Sequence, residues 1–175
     1  MGDVFKEQLV KRKSTFKDSA IKVCLVLVVV LIFMISFLFL QGFAIIVTAV
    51  AGFGAAFLMS FLNVEYEYIF TNGELDIDAI YNRSRRKRMF SGNVKNFEIM
   101  AHIDDRMREG EFSSAQEIKD FSSGVPGPET YAFLAVIKGK KTKVIIEPNE
   151  KMLKALANVI SRRKLFLRPG VVFVP

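Results

Sequence analysis

The chain has 175 residues, 51% of them hydrophobic, and its 25 Lys and Arg against 18 Asp and Glu give a net charge of +7. One cysteine, Cys24, excludes an intrachain disulfide or a multi-cysteine metal site, and one histidine, His102, excludes a multi-histidine site, so no metal or cofactor is expected. In a chain with a long apolar segment, a basic balance points to anionic lipid headgroups as partner; no nucleic acid is expected, because no nucleic-acid-binding motif is present.

Residues 1–20 form a cytoplasmic basic N-terminal segment, in which Val4, Phe5, Leu9, Val10 and Phe16 stand among Lys6, Lys11, Arg12, Lys13 and Lys17 at roughly helical spacing. This reads as an interfacial helix or as a frayed tail whose lysines set topology. From Val23 to Leu62 no side chain is charged. A membrane core is crossed by about 20 helical residues, so residues 21–62 predict a transmembrane helical hairpin with spans at about 21–40 and 43–62 and a turn at Gln41-Gly42. Lys and Arg flank the pair on both outer sides and are missing from the turn, which places both termini in the cytoplasm of a multi-pass cell-membrane protein. Ala49, Gly52, Ala55, Ala56 and Ser60 offer small side chains for packing within the hairpin, the alternative being another copy or another protein.

Residues 63–175 then change period. Tyr66, Tyr68 and Phe70 alternate with Glu65 and Glu67, Asn72-Gly73 suits a tight hairpin, and Glu74 to Tyr81 alternates Leu75, Ile77 and Ala79 with Asp76 and Asp78. Further strands are expected at Arg85 to Phe90, Val94 to Met100 and Glu117 to Phe121, with a short helix or loop over His102 to Ser114. A second hairpin joins Tyr131 to Ile137 with Lys143 to Ile146. A helix at about 149–164 carries Met152, Leu153, Leu156, Val159 and Ile160 on one stripe, and Leu165 to Pro175 reads as an added strand or an extended segment.

Strands followed by one helix fit an α+β domain: a PH-like small β-barrel or bent antiparallel sheet capped by the C-terminal helix. Glu65-Tyr66-Glu67-Tyr68-Ile69-Phe70-Thr71-Asn72-Gly73-Glu74-Leu75-Asp76-Ile77-Asp78, with Tyr81-Asn82-Arg83-Ser84-Arg85-Arg86-Lys87-Arg88, resembles a family of small bacterial two-span membrane proteins of unassigned function with a C-terminal PH-like domain. The resemblance implies a bacterial cytoplasmic membrane and a PH-like fold, and brings no catalytic residues with it.

Arg83, Arg85, Arg86, Lys87 and Arg88 are the candidate site for anionic lipid or a partner. An extended run places cations on both faces, so they must be exposed or paired with anions. Asp76 and Asp78 are the cheapest partners for them, and otherwise form a solvated strand face; Asp104 and Asp105 follow His102. No nucleophile motif is present, and no enzyme is expected. The function that fits is a membrane-anchored, non-catalytic PH-like interaction or scaffolding module, binding a protein partner or copies of itself. The alternatives are an anionic-lipid sensing or lipid-handling protein and, third, a subunit of a membrane transport complex.

Overall fold

In the computed structural model, which describes residues 5–168, the first element is a strand. β1 (Phe5–Lys11) runs antiparallel to β2 (Val64–Thr71), with Lys6 opposite Phe70, Gln8 opposite Tyr68 and Val10 opposite Tyr66. The segment expected as an interfacial helix or a tail is therefore part of a sheet. Its side chains fit a period of two as well as a helical one, and the edge of β2 decides between them.

Between β1 and β2 lie α1 (Phe16–Leu40), a 3-10 turn (Gln41–Phe43) and α2 (Ala44–Ser60). Then follow β3 (Glu74–Tyr81), β4 (Arg85–Asn93), β5 (Ile99–His102), β6 (Glu117–Asp120), β7 (Tyr131–Ile137), β8 (Lys140–Ile146), α3 (Glu150–Ala157) and β9 (Leu165–Phe166). The chain divides into two units. One gathers the segments up to Lys13, Glu65–Ile80 and from Arg86 onward; the other comprises Ser14–Val64 and Tyr81–Arg85.

The first unit holds a four-stranded sheet in the order β1-β2-β3-β4 and a five-stranded sheet in the order β6-β8-β7-β5-β9. Among the described residues no closed barrel is seen. The expected fourth strand is broken by a 3-10 turn at Val94–Asn96, and after it the chain joins the other sheet. Nor is the second sheet wholly antiparallel, since β6 lies parallel to β8 and β9 parallel to β5. The β2–β3 turn places Asn72 at φ 50° and Gly73 at φ 95°, the left-handed pair that a tight hairpin needs.

The inward faces supply one apolar core: Tyr68 and Phe70 from β2, Leu75 and Ile77 from β3, Phe90 from β4, Phe133 from β7, Val144 and Ile146 from β8. The rings of Phe97 and Phe133 stack at 4.0 Å. α3 closes this core with Met152, Leu153 and Leu156, and its first turn is capped by Asn149, whose side chain accepts from the Met152 N–H at 2.8 Å. The helix stops at Ala157, short of the expected 164. The Lys164 carbonyl accepts from the Met100 N–H at 2.8 Å, and this bond leads the chain into β9 beside β5. A smaller cluster of Ile99, Ala101, Ala132 and Leu134 is covered by Phe112 from a 3-10 segment, Arg106–Ser114.

In the second unit, α1 and α2 contact each other. α1 starts with the Thr15 N–H and hydroxyl both donating to Asp18 Oδ2, at 2.8 and 2.6 Å, one half of a capping box. Thr48 and Ser60 donate to carbonyls of their own helix, Ala44 and Phe57, so these hydroxyls need no water. Among the described residues α1 alone is both long and apolar enough to cross a membrane by itself; α2 is a shorter apolar helix.

Candidate functional site

The basic run begins in the turn between β3 and β4 and continues along β4. Asn82 and Arg83 occupy this turn with φ of 48° and 55°, so an arginine stands in the left-handed region. The Ser84 N–H donates to the Tyr81 carbonyl at 3.1 Å and closes the turn.

Arg86 and Arg88, two residues apart on β4, meet carboxylates on the face of the four-stranded sheet opposite Leu75 and Ile77. Arg86 Nη2 donates to Glu67 Oε1 at 3.0 Å, with Nη1 also 3.0 Å from Oε2. Arg88 bridges two residues of β3: Nη1 lies 2.7 Å from Asp76 Oδ2, and Nε donates to Asp78 Oδ1. The carboxylates of Glu67 and Asp78 are buried, whereas both arginines are half exposed and act as a cover over them. The hydrogen bond that Arg88 donates to Asp78 raises the Arg88 pKa, burial opposes it, and the charges of Asp76 and Asp78 add to the rise.

Glu67 is held differently. Burial pushes its carboxyl above the ordinary range, Arg86 opposes that, and the charge of Glu7 together with a hydrogen bond between the two side chains pushes it up again, with Asp78 adding to the same effect. Glu7 sits on β1 opposite Ile69, one diagonal step from Glu67. Four acids therefore face two arginines on this surface, and β1 contributes one of the four.

The remaining cations go elsewhere. Arg85 lies over two rings, its guanidinium carbon 5.4 Å from the centre of Phe57 and 5.6 Å from that of Phe61. Arg83 is not free either. Lys87 is exposed and, among the described residues, has no hydrogen-bond or ion-pair partner. The five cations thus do not share one surrounding. The Asp76 and Asp78 pairing was foreseeable from strand alternation; the Glu67, Phe57 and Phe61 contacts carry no local signal.

The other acidic cluster lines a polar recess of about 420 Å³ bounded by His102, Asp104, Arg106, Glu109, Phe112 and Lys143. His102 is buried there, with Nδ1 accepting from the Asp104 N–H at 3.2 Å and Nε2 at 3.1 Å from the Pro128 carbonyl, the arrangement of a neutral Nε2–H ring. Both nitrogens serve the fold. Asp105 caps the 3-10 segment by accepting from the Met107 N–H at 3.1 Å, and Lys143 Nζ lies 4.8 Å over the Phe112 ring. Among the described residues no group of three His, Cys, Asp or Glu could hold a metal ion.

Two sheets sharing one core that a helix closes fit a PH-like domain. The family whose description is Bacterial PH-like domain (DUF6106) matches residues 2–167, and the chain belongs to it. The match takes in β1 and both apolar helices, so the family's domain is not confined to the C-terminal part. No curated protein and no solved structure matches the chain. PH-like domains are in general non-catalytic, and membership suggests an interaction module.

Proposed function

We propose that the chain is a membrane-anchored, non-catalytic interaction module in which α1 and α2 both cross the bilayer and the PH-like domain works at the cytoplasmic face. The observation that carries this reading is the surface of the helices: 6% of the most apolar stretch of α1 is buried, and Phe39 on α1 and Ile45 and Phe53 on α2 are 76–80% exposed. Such faces find a solvent in lipid. The 17 residues of α2, extended by the 3-10 turn before it, reach the lower end of the length a crossing takes.

The partner is a protein strand or a second copy. β4 and β1 end one sheet and β6 and β9 the other, and open strand edges accept an added strand through main-chain hydrogen bonds. The basic run serves as an electrostatic guide to the inner leaflet through Arg83, Arg85 and Lys87, while Arg86 and Arg88 are engaged by carboxylates. That engagement favours the interaction reading over headgroup sensing by all five.

The test combines topology with capture. Reporters fused after Pro175 and before Met1 should both read cytoplasmic, and a cysteine placed at Gly42 in a C24S background should be labelled from outside. A photo-cross-linker at Lys87 or Ile118 in the membrane should recover one reproducible adduct, of a partner or of the chain itself. Termini on opposite sides would overturn the two-crossing reading; a domain that stays monomeric and yields no reproducible adduct would overturn the interaction reading.

A further inference from the structure

At the C-terminal end of α2 four side chains of one unit form a cluster. Phe57 and Phe61, one helical turn apart, meet edge to face at 5.1 Å, and Tyr81 lies 6.4 Å from Phe61. The guanidinium carbon of Arg85 lies 5.4 Å from the centre of Phe57 and 5.6 Å from that of Phe61. Among the described residues Arg85 donates no hydrogen bond and makes no ion pair, and the Tyr81 hydroxyl likewise has no partner. The guanidinium therefore sits beside two rings while its N–H groups have no acceptor among the described residues. A guanidinium resting beside apolar rings keeps its N–H donors available to an oxyanion, which it can bind through two of them at once.

Position adds the second argument. The cluster follows a helix without charge, where the apolar side chains stop and the first polar ones begin. Tyrosine, phenylalanine and arginine at such a boundary match the level of a bilayer at which hydrocarbon gives way to phosphate, the rings lying in the glycerol zone and the cation above them. Arg85 is exposed and has no acidic partner among the described residues, so its donors are open to an anion from outside the chain.

We propose that Phe57, Phe61, Tyr81 and Arg85 form an interfacial belt that fixes the depth of α2, with the Arg85 N–H groups donating to phospholipid phosphate. This rests on α2 lying in the bilayer, as proposed above. It makes Arg85 a depth-setting residue instead of one member of a diffuse basic patch, and it requires a phosphate but no particular headgroup.

The chain has no tryptophan, so F61W and F53W each give a single fluorophore. The full chain is reconstituted in phosphatidylcholine and phosphatidylglycerol vesicles carrying lipids brominated either high or low on the acyl chain. Tryptophan at Phe53, in the middle of α2, should be quenched most by the low bromines. Tryptophan at Phe61 should be quenched most by the high ones, and should lose that preference when R85A is added. Dephasing of guanidinium carbons by lipid phosphorus in magic-angle-spinning spectra should lose one component in R85K, in vesicles of either headgroup. If F53W is quenched but F61W shows no shallow preference, or if R85K removes no phosphorus-coupled component, the belt is overturned and the membrane reading stands. If F53W is not quenched at all, α2 is outside the bilayer and both fall.

Discussion

Gln8 and Tyr68, directly opposite each other in β1 and β2, hold residue 147 from its two sides. Gln8 Nε2 donates to the Glu147 carbonyl at 2.8 Å, and the Glu147 N–H donates to the Tyr68 hydroxyl at 3.1 Å, while that hydroxyl donates to the Phe121 carbonyl at 2.7 Å. Gln8 Oε1 also accepts from the Asn149 N–H at 2.8 Å, just before α3. The first strand is thus tied to the last helix, and burial pushes the Tyr68 phenol well above its ordinary pKa. Q8A should leave two part-buried backbone groups without partners and cost roughly 2 kcal/mol, read as a lower midpoint of thermal unfolding in detergent. Q8E should cost more than Q8A, because it places an acid against the Glu147 carbonyl.

Arg88 and Lys87 are neighbours with opposite expected effects. R88A strips the cover from the buried Asp78 carboxylate and should destabilise by roughly 2 kcal/mol, a buried-pair cost reduced by the exposure of the arginine. K87A removes an unpaired surface cation and should stay within about 0.5 kcal/mol. Adding D78N to R88A should recover part of the loss, which a double-mutant cycle measures.

Glu67 predicts a pH dependence whose sign follows from its raised pKa. A carboxyl that holds its proton more tightly when folded adds stability below its ordinary value of 4.5, and that contribution is lost as pH rises through the raised folded value. Unfolding midpoints of the native chain should therefore include a decline with pH above 4.5 that E67Q lacks. The groups facing it are Glu7, Asp78 and Arg86, so E7Q should shrink the same decline.

Arg83 stands in a left-handed position that favours glycine. R83G should be more stable than R83A by about 1 kcal/mol, because both lose the contact that Arg83 makes and only glycine is at ease in the left-handed region. Because each removes a cation, the vesicle binding of both should weaken alike.

Local chemistry made much of the sheet legible. Asn72-Gly73 fixes one turn by itself, and the alternation of Leu75, Ile77 and Ala79 with Asp76 and Asp78 fixes the faces of β3, from which the Arg88 pairing follows. Long-range pairing was illegible. β1 is a strand because Tyr66 to Phe70 offer an edge far along the chain, and Phe5 to Lys11 carries no turn signal to announce it. Arg86 finds Glu67 on a strand two places away in the sheet, a choice that no spacing in the run dictates. The two-sheet arrangement, in place of a barrel, depends on which edges are left unpaired, and that too is decided between distant segments.

The placement of β1 ahead of α1 also sets an order of assembly. β1 is made before its hydrogen-bonding partner β2, and about fifty residues, among them both apolar helices, separate the two. Until those helices are made, β1 has no edge to join, Glu7 has no Glu67, and Gln8 has no peptide to hold. The β1–β2 pair of the four-stranded sheet can therefore form only after both apolar helices have been synthesised.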